Sequence, residues 1–167
     1  MPLANDLLDL SRQLAETAPA SLLQASLRRA VSTAYYALFH LLISEATLNW
    51  NRPELRSVLG RVFEHGVIKS ASDQRRAELR DELKKNPPVG PEQTPTQHLL
   101  TVVTSFSQAQ QKRNDADYDT AKDWSLEEVL QQIEAVAAAF RSWSVIREEP
   151  IAQAYLVSLL VKKRRSD

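Results

Sequence analysis

Apolar side chains recur at nearly every turn between Ser21 and Leu48, at Leu27, Ala30/Val31, Ala34, Leu38 and Leu41/Leu42, with polar Glu45 closing the series. This i, i+3/i+4 rhythm, uninterrupted by Gly or Pro, predicts a single helix over 21–48 that is apolar around most of its circumference. At ~1.5 Å per residue it spans roughly 40 Å, enough for the spine of a small bundle. Ser21 and Gln24 have capping-box spacing and set its expected start. A second line on the same helix is polar: Arg28, Ser32, Tyr36 and His40 stand four residues apart and stack along one stripe, with Arg29, Thr33 and Tyr35 beside it. Such groups need hydrogen-bond partners wherever they are buried.

Shorter amphipathic segments flank the spine. Leu3, Leu7, Leu10 and Leu14 mark a face of a first helix that ends near Ala18, because Pro19 disfavours helical geometry in the residue before it. Pro53 suits the first position of a short helix carrying Leu55, Val58, Leu59, Val62 and Phe63, with Gly66 as its left-handed stop and His65 as a polar C-cap. Ser72 or Asp73 is placed to cap a solvated segment whose apolar residues are Ala77, Leu79 and Leu83, held by charge pairs such as Arg75 with Glu78. Residues 86–95 hold four prolines and read as a loop. Thr94, Pro95 and Gln97 restart a helix whose buried face is Leu99, Leu100, Val102, Val103, Phe106 and Ala109/Gln110. Ser125 with Glu128 opens another over Leu126 to about Ile146, and Pro150 begins a last one with Ala154, Leu156, Leu159 and Leu160, ending in Lys162-Lys163-Arg164-Arg165.

Composition narrows the class. Three glycines and few alternating β-branched runs in 167 residues argue for an all-α chain. Without cysteine, disulfides and thiolate metal sites are excluded, and His40, His65 and His98 show no paired ligand spacing for zinc. Twenty-one basic and twenty-one acidic residues leave no global field toward nucleic acid or an anionic membrane. No apolar run approaches the roughly 20 residues that span a bilayer, and the N-terminus lacks a signal-peptide pattern, so the expectation is a soluble cytoplasmic protein. Phosphate-binding glycine loops and a nucleophile elbow are absent from the sequence, and no cofactor is expected.

Two polar clusters remain as candidate chemistry: the Arg28/Ser32/Tyr36/His40 stripe and the run Arg113-Asn114-Asp115-Ala116-Asp117-Tyr118-Asp119. In the second, Arg113 and Asp117 are one helical turn apart and predict an ion pair. The stretch LRRAVSTAYYALFHLL, the later His65-Gly66-Val67-Ile68 and the R-x-x-A-D-Y pattern of Arg113 to Tyr118 occur in this order. Together they resemble the HEPN domain family, in particular its small prokaryotic R-x-x-A-D-Y branch, over about residues 20–145.

That resemblance implies an up-and-down bundle of four to five core helices with additional short helices, commonly a homodimer. It divides the chain into a HEPN-like bundle, 1–149, and a C-terminal helix with a basic tail, 150–167. It further implies a toxin–antitoxin or defence setting, often beside a nucleotidyltransferase, and in many members metal-independent cleavage of RNA by an R-x(4–6)-H motif. Here Arg113 and Asn114 match the arginine and its polar neighbour, but Tyr118, Asp119 and Thr120 stand where the histidine belongs. No arginine lies five to seven residues before any of the three histidines, and Arg61 precedes His65 by four.

Three expectations follow from the resemblance. The first is an interaction protein in which Arg113, Asp117 and Tyr118 form a polar network with His40 or Tyr36. The second is a diverged ribonuclease in which Arg113 holds phosphate and His40 or His65 moves the proton. In the third, Tyr118 is a target for adenylylation by a partner nucleotidyltransferase, which requires that it be exposed.

Overall fold

The computed structural model describes residues 2–161, with the expected spine helix at its centre. That helix, α2 (Leu23–Leu48), buries Leu27, Ala30, Val31, Ala34, Leu38, Leu41 and Leu42. Packed around it are α1 (Pro2–Glu16), α4 (His65–Lys85), α5 (Pro95–Tyr118) and α6 (Leu126–Ile146), with the short helices α3 (Arg56–Gly60) and α7 (Pro150–Ser158). Helices α1, α5 and α6 rest directly on α2, and α4 packs on α5. Among the described residues there is no strand, so the chain is an all-α bundle of five long helices with short additions.

Side-chain pairs fix the directions. His98 with Ser142 (3.2 Å) and Lys112 with Glu128 (3.0 Å) make α5 and α6 antiparallel. Arg147, just past α6, grips the buried Glu45 near the end of α2 through two bonds of 3.2 and 3.1 Å, so α2 and α6 finish at the same end. No helix among the described residues is long and apolar enough to cross a membrane.

Several local expectations are corrected. The Ser21–Gln24 box does not form: a 3₁₀ turn, Ala20–Leu22, precedes α2, whose start has no side-chain cap. Gln24 instead donates from Nε2 to the Trp124 carbonyl and accepts the Trp124 N–H at Oε1, both at 2.9 Å. One primary amide can satisfy both main-chain groups of a single residue in this way, and the tertiary pairing wins over the local cap. In α1 the buried residues are Ala4, Leu8, Ser11 and Ala15; of the expected face, Leu7 and Leu14 pack partly buried against the core, while Leu3 and Leu10 are exposed. The face is rotated because three of the four buried side chains are small, which lets the helix axes approach closely.

The segment 53–66 differs most. It divides into a 3₁₀ turn, Pro53–Leu55, and the five-residue α3, and Gly66 stops nothing. The chain is extended at Glu64 (φ −109°, ψ 132°), and α4 starts at His65 with Gly66 in its first turn. His65 therefore begins a helix. Helix α4 then runs unbroken through Ser72 and Asp73, neither of which caps it. Ser72 donates to or accepts from the Tyr155 hydroxyl at 2.8 Å and bonds the Ile68 carbonyl, while Asp73 pairs with Lys69 and Arg76. The Arg75–Glu78 pair forms at 3.1 Å.

The Thr94–Gln97 box is complete, with bonds of 2.8 and 3.3 Å. The Ser125–Glu128 box is half made: Ser125 Oγ accepts the Glu128 N–H, but the Glu128 carboxylate goes to Lys122 and Lys112. Helix α7 lies on the bundle and contributes Ala152, Tyr155 and Leu156 to its core, whereas Ala154 and Leu160 face solvent. The basic run from Lys162 to Arg165 lies outside the described residues.

Candidate functional site

The polar stripe of α2 meets the C-terminal half of α5 residue by residue, as antiparallel helices require. Arg28 donates to the carbonyls of Ala116 (2.9 Å), Asp119 (2.8 Å) and Lys122. One turn on, Ser32 Oγ donates to Asp117 Oδ1 at 2.6 Å. A further turn on, the Tyr36 hydroxyl accepts from Arg113 Nη2 at 3.1 Å. The stripe thus separates into two functions. Arg28 closes the free carbonyls at the end of α5 and ties down the loop that follows, while Ser32 and Tyr36 hold the Arg113–Asp117 pair.

Arg113 is enclosed on several sides. Its Nε lies 2.8 Å from Asp117 Oδ2, Nη1 reaches the Asn114 side chain at 3.2 Å, and its carbon Cζ sits 5.7 Å from the Tyr36 ring and 5.8 Å from that of Tyr118. Burial works against the charge, but the Tyr36 hydrogen bond and the neighbouring Tyr36, Asp117 and Tyr118 hold the guanidinium above its ordinary value. Tyr118 itself is 74% exposed, with one ring face against Arg113 and the remainder in solvent. Of the residues expected to form a network, Arg113, Asp117 and Tyr118 with His40 or Tyr36, the guanidinium meets Asp117 and Tyr36, Tyr118 touches it by its ring, and His40 stands against Phe39 instead.

A second group adjoins the first. Tyr35 is buried, its hydroxyl 2.6 Å from Nδ1 of His65, whose ring is stacked on Phe39 with centroids 4.0 Å apart and planes at 23°. Burial drives the Tyr35 phenol far above its usual range, so it keeps its proton. The phenol and Nδ1 share this hydrogen bond, with the donor set by the imidazole tautomer. Burial, then the charge of Arg113, then His40, hold His65 below the ordinary imidazole value, and it is neutral at pH 7. His40 is half-buried, edge-on to Phe39 at 5.6 Å, and lowered by burial.

The folded chain therefore gathers Tyr36, Arg113, Asp117 and Tyr118 with Tyr35, His65 and His40 at the junction of α2, α5 and the first turn of α4. Arg28 stands apart at the α5 terminus. Two participants carried no signal that sequence reasoning used. Phe39 looks like one more core residue of the spine, and Tyr35 becomes a partner of His65 only because α4 begins where a helix end was expected. The described residues include no group of three or more His, Asp or Glu side chains placed to hold a metal. Comparison with protein-family models, curated proteins and solved structures finds no match to this chain.

Proposed function

We propose that the chain is a HEPN-like homodimeric interaction protein of a toxin–antitoxin or defence-type system, acting in the cytoplasm beside a nucleotidyltransferase-type partner and not itself cutting RNA. The engagement of Arg113 carries this reading. Its Nη1 and Nη2 already donate to Asn114 and Tyr36, and Asp117, with Oδ2 2.8 Å from Nε, supplies the negative charge that a phosphate would otherwise bring. His65 holds Nδ1 in the bond to Tyr35, which takes one ring nitrogen out of proton transfer. The exposure of Tyr118 supports its role as the contact point and adenylylation target of the partner.

A second reading, a diverged metal-independent ribonuclease, is favoured by one observation: His65 feels the charge of both Arg113 and His40, so imidazole and guanidinium share one patch. Incubating a mixed RNA pool without metal with wild type, Arg113→Ala, His40→Ala and His65→Ala separates the two. The interaction reading expects no cleavage by wild type above the level of Arg113→Ala. Cleavage by wild type, abolished in Arg113→Ala and in one histidine variant while all remain folded, establishes the ribonuclease instead.

A further inference from the structure

Residues 48–62 carry a surface that the bundle does not use. Leu55, Val58 and Val62 follow i, i+3, i+7 spacing through the Pro53–Leu55 turn, α3 and the bend after it, and are 44%, 59% and 56% exposed. Leu59 and Phe63, on the neighbouring face, turn inward, and Gly60 lies against Ile43 of α2. Exposed Leu48 and Trp50 extend the patch, and the turn that bears them is fixed by Arg56, which donates to both of their carbonyls at 3.1 Å. The apolar outer row is thus held in place, with no covering partner among the described residues.

The geometry points to this row as the seam between two copies of the chain, related by a two-fold axis near Val58. This inference rests on the homodimeric part of the reading above and names its surface. Antiparallel pairing about that axis sets Leu55 against the partner's Val62 and brings Glu54, whose contact with Arg52 is a long and exposed 4.0 Å, to the partner's Arg61, so the segment is complementary to itself in sign. The five apolar side chains offer about 500 Å² per copy, at the upper end of what a monomer leaves uncovered; doubled, that reaches the roughly 1,000 Å² a specific interface needs. A dissimilar partner would not be expected to repeat this spacing and charge order. The exposed valines of α7 show no such mirrored pattern. Because Val62 stands three residues before His65, the pairing places both candidate sites at the rim of one interface.

Light scattering coupled to gel filtration at micromolar concentration tests this with wild type, Val58→Glu, the control Val157→Glu, and the charge variants Glu54→Arg, Arg61→Glu and their double. All alter exposed side chains, so folding is preserved. The expected result is twice the chain mass for wild type and Val157→Glu, a twofold drop for Val58→Glu, and weakened association in each charge variant that is restored in the double. A dimer that survives Val58→Glu overturns the assigned surface and leaves the dimeric reading intact. A wild type of single chain mass overturns both.

Discussion

Asp117 accepts from Ser32 through Oδ1 at 2.6 Å and faces Arg113 Nε through Oδ2 at 2.8 Å, so one carboxylate joins α2 to α5 and neutralises the guanidinium beside it. Both side chains of the ion pair are 22% exposed, so solvent weakens the attraction without removing it. Asp117→Ala leaves a hydroxyl and a guanidinium without their acceptor and is expected to cost about 1–3 kcal/mol in urea unfolding. Ser32→Ala is expected to cost about 1 kcal/mol, and the double variant less than the sum, because the two changes share one acceptor.

Gln24 and Ser21 make opposite predictions. Gln24→Ala strips the main-chain N–H and C=O of Trp124 of their partner and is expected to lower stability by about 1–3 kcal/mol. Ser21→Ala removes an exposed side chain that caps nothing and is expected to stay within about 0.5 kcal/mol of wild type. Equal losses in thermal unfolding would contradict the arrangement at the start of α2.

Arg28 binds three carbonyls with a rigid, branched donor set that an ammonium cannot reproduce. Amide exchange in residues 119–123 is therefore expected to quicken in both Arg28→Ala and Arg28→Lys, while the centre of α5 keeps its protection. Wild-type protection in Arg28→Lys would show that charge alone suffices there.

Acid should weaken the fold in two separate windows. His65 and His40 have folded values below the ordinary imidazole value near 6.5, so the unfolded chain binds more protons between the folded and unfolded values. Their contribution is complete above that ordinary value and is lost as pH falls through the folded one. Asp73 and Glu128 are likewise lowered: burial pushes Asp73 up but the bond from Lys69 and the charges of Lys69 and Arg76 prevail, while Lys122 and Lys112 act on Glu128. Their contribution is present above the ordinary carboxylate range and is lost at more acidic pH. Denaturant midpoints followed from pH 7.5 downward should show the upper decline reduced in His65→Gln, with the lower one retained.

The long helices were legible because burial imposes a period on the sequence that neither partner nor topology needs to reveal. Leu99 to Phe106 of α5 and Val129 to Trp143 of α6 are cases in point, and the Thr94–Gln97 box is legible because both its partners are local. What escaped was decided at a distance. The apparent cap Gln24 was claimed by Trp124, Glu128 by two lysines, and Ser72 by a tyrosine on the last helix. Segment 53–66 misled for a related reason: its outward leucine and valines have the spacing of a buried stripe, and spacing does not say which side faces water. Within the site, the Arg113–Asp117 pair followed from one-turn spacing, whereas the tyrosine–histidine contact depended on where α4 begins.

The partners of α2 also impose an order on synthesis. Gln24, Arg28 and Ser32 reach groups 100, 88 to 94 and 85 residues later in the chain. Closing such long loops costs chain entropy before any contact forms. While the chain emerges from the ribosome, the spine helix is therefore present long before its completing residues. For that interval its apolar faces are covered only in part, by α1 and the short α3. Slowing translation anywhere between α2 and the end of α6 would prolong that exposure.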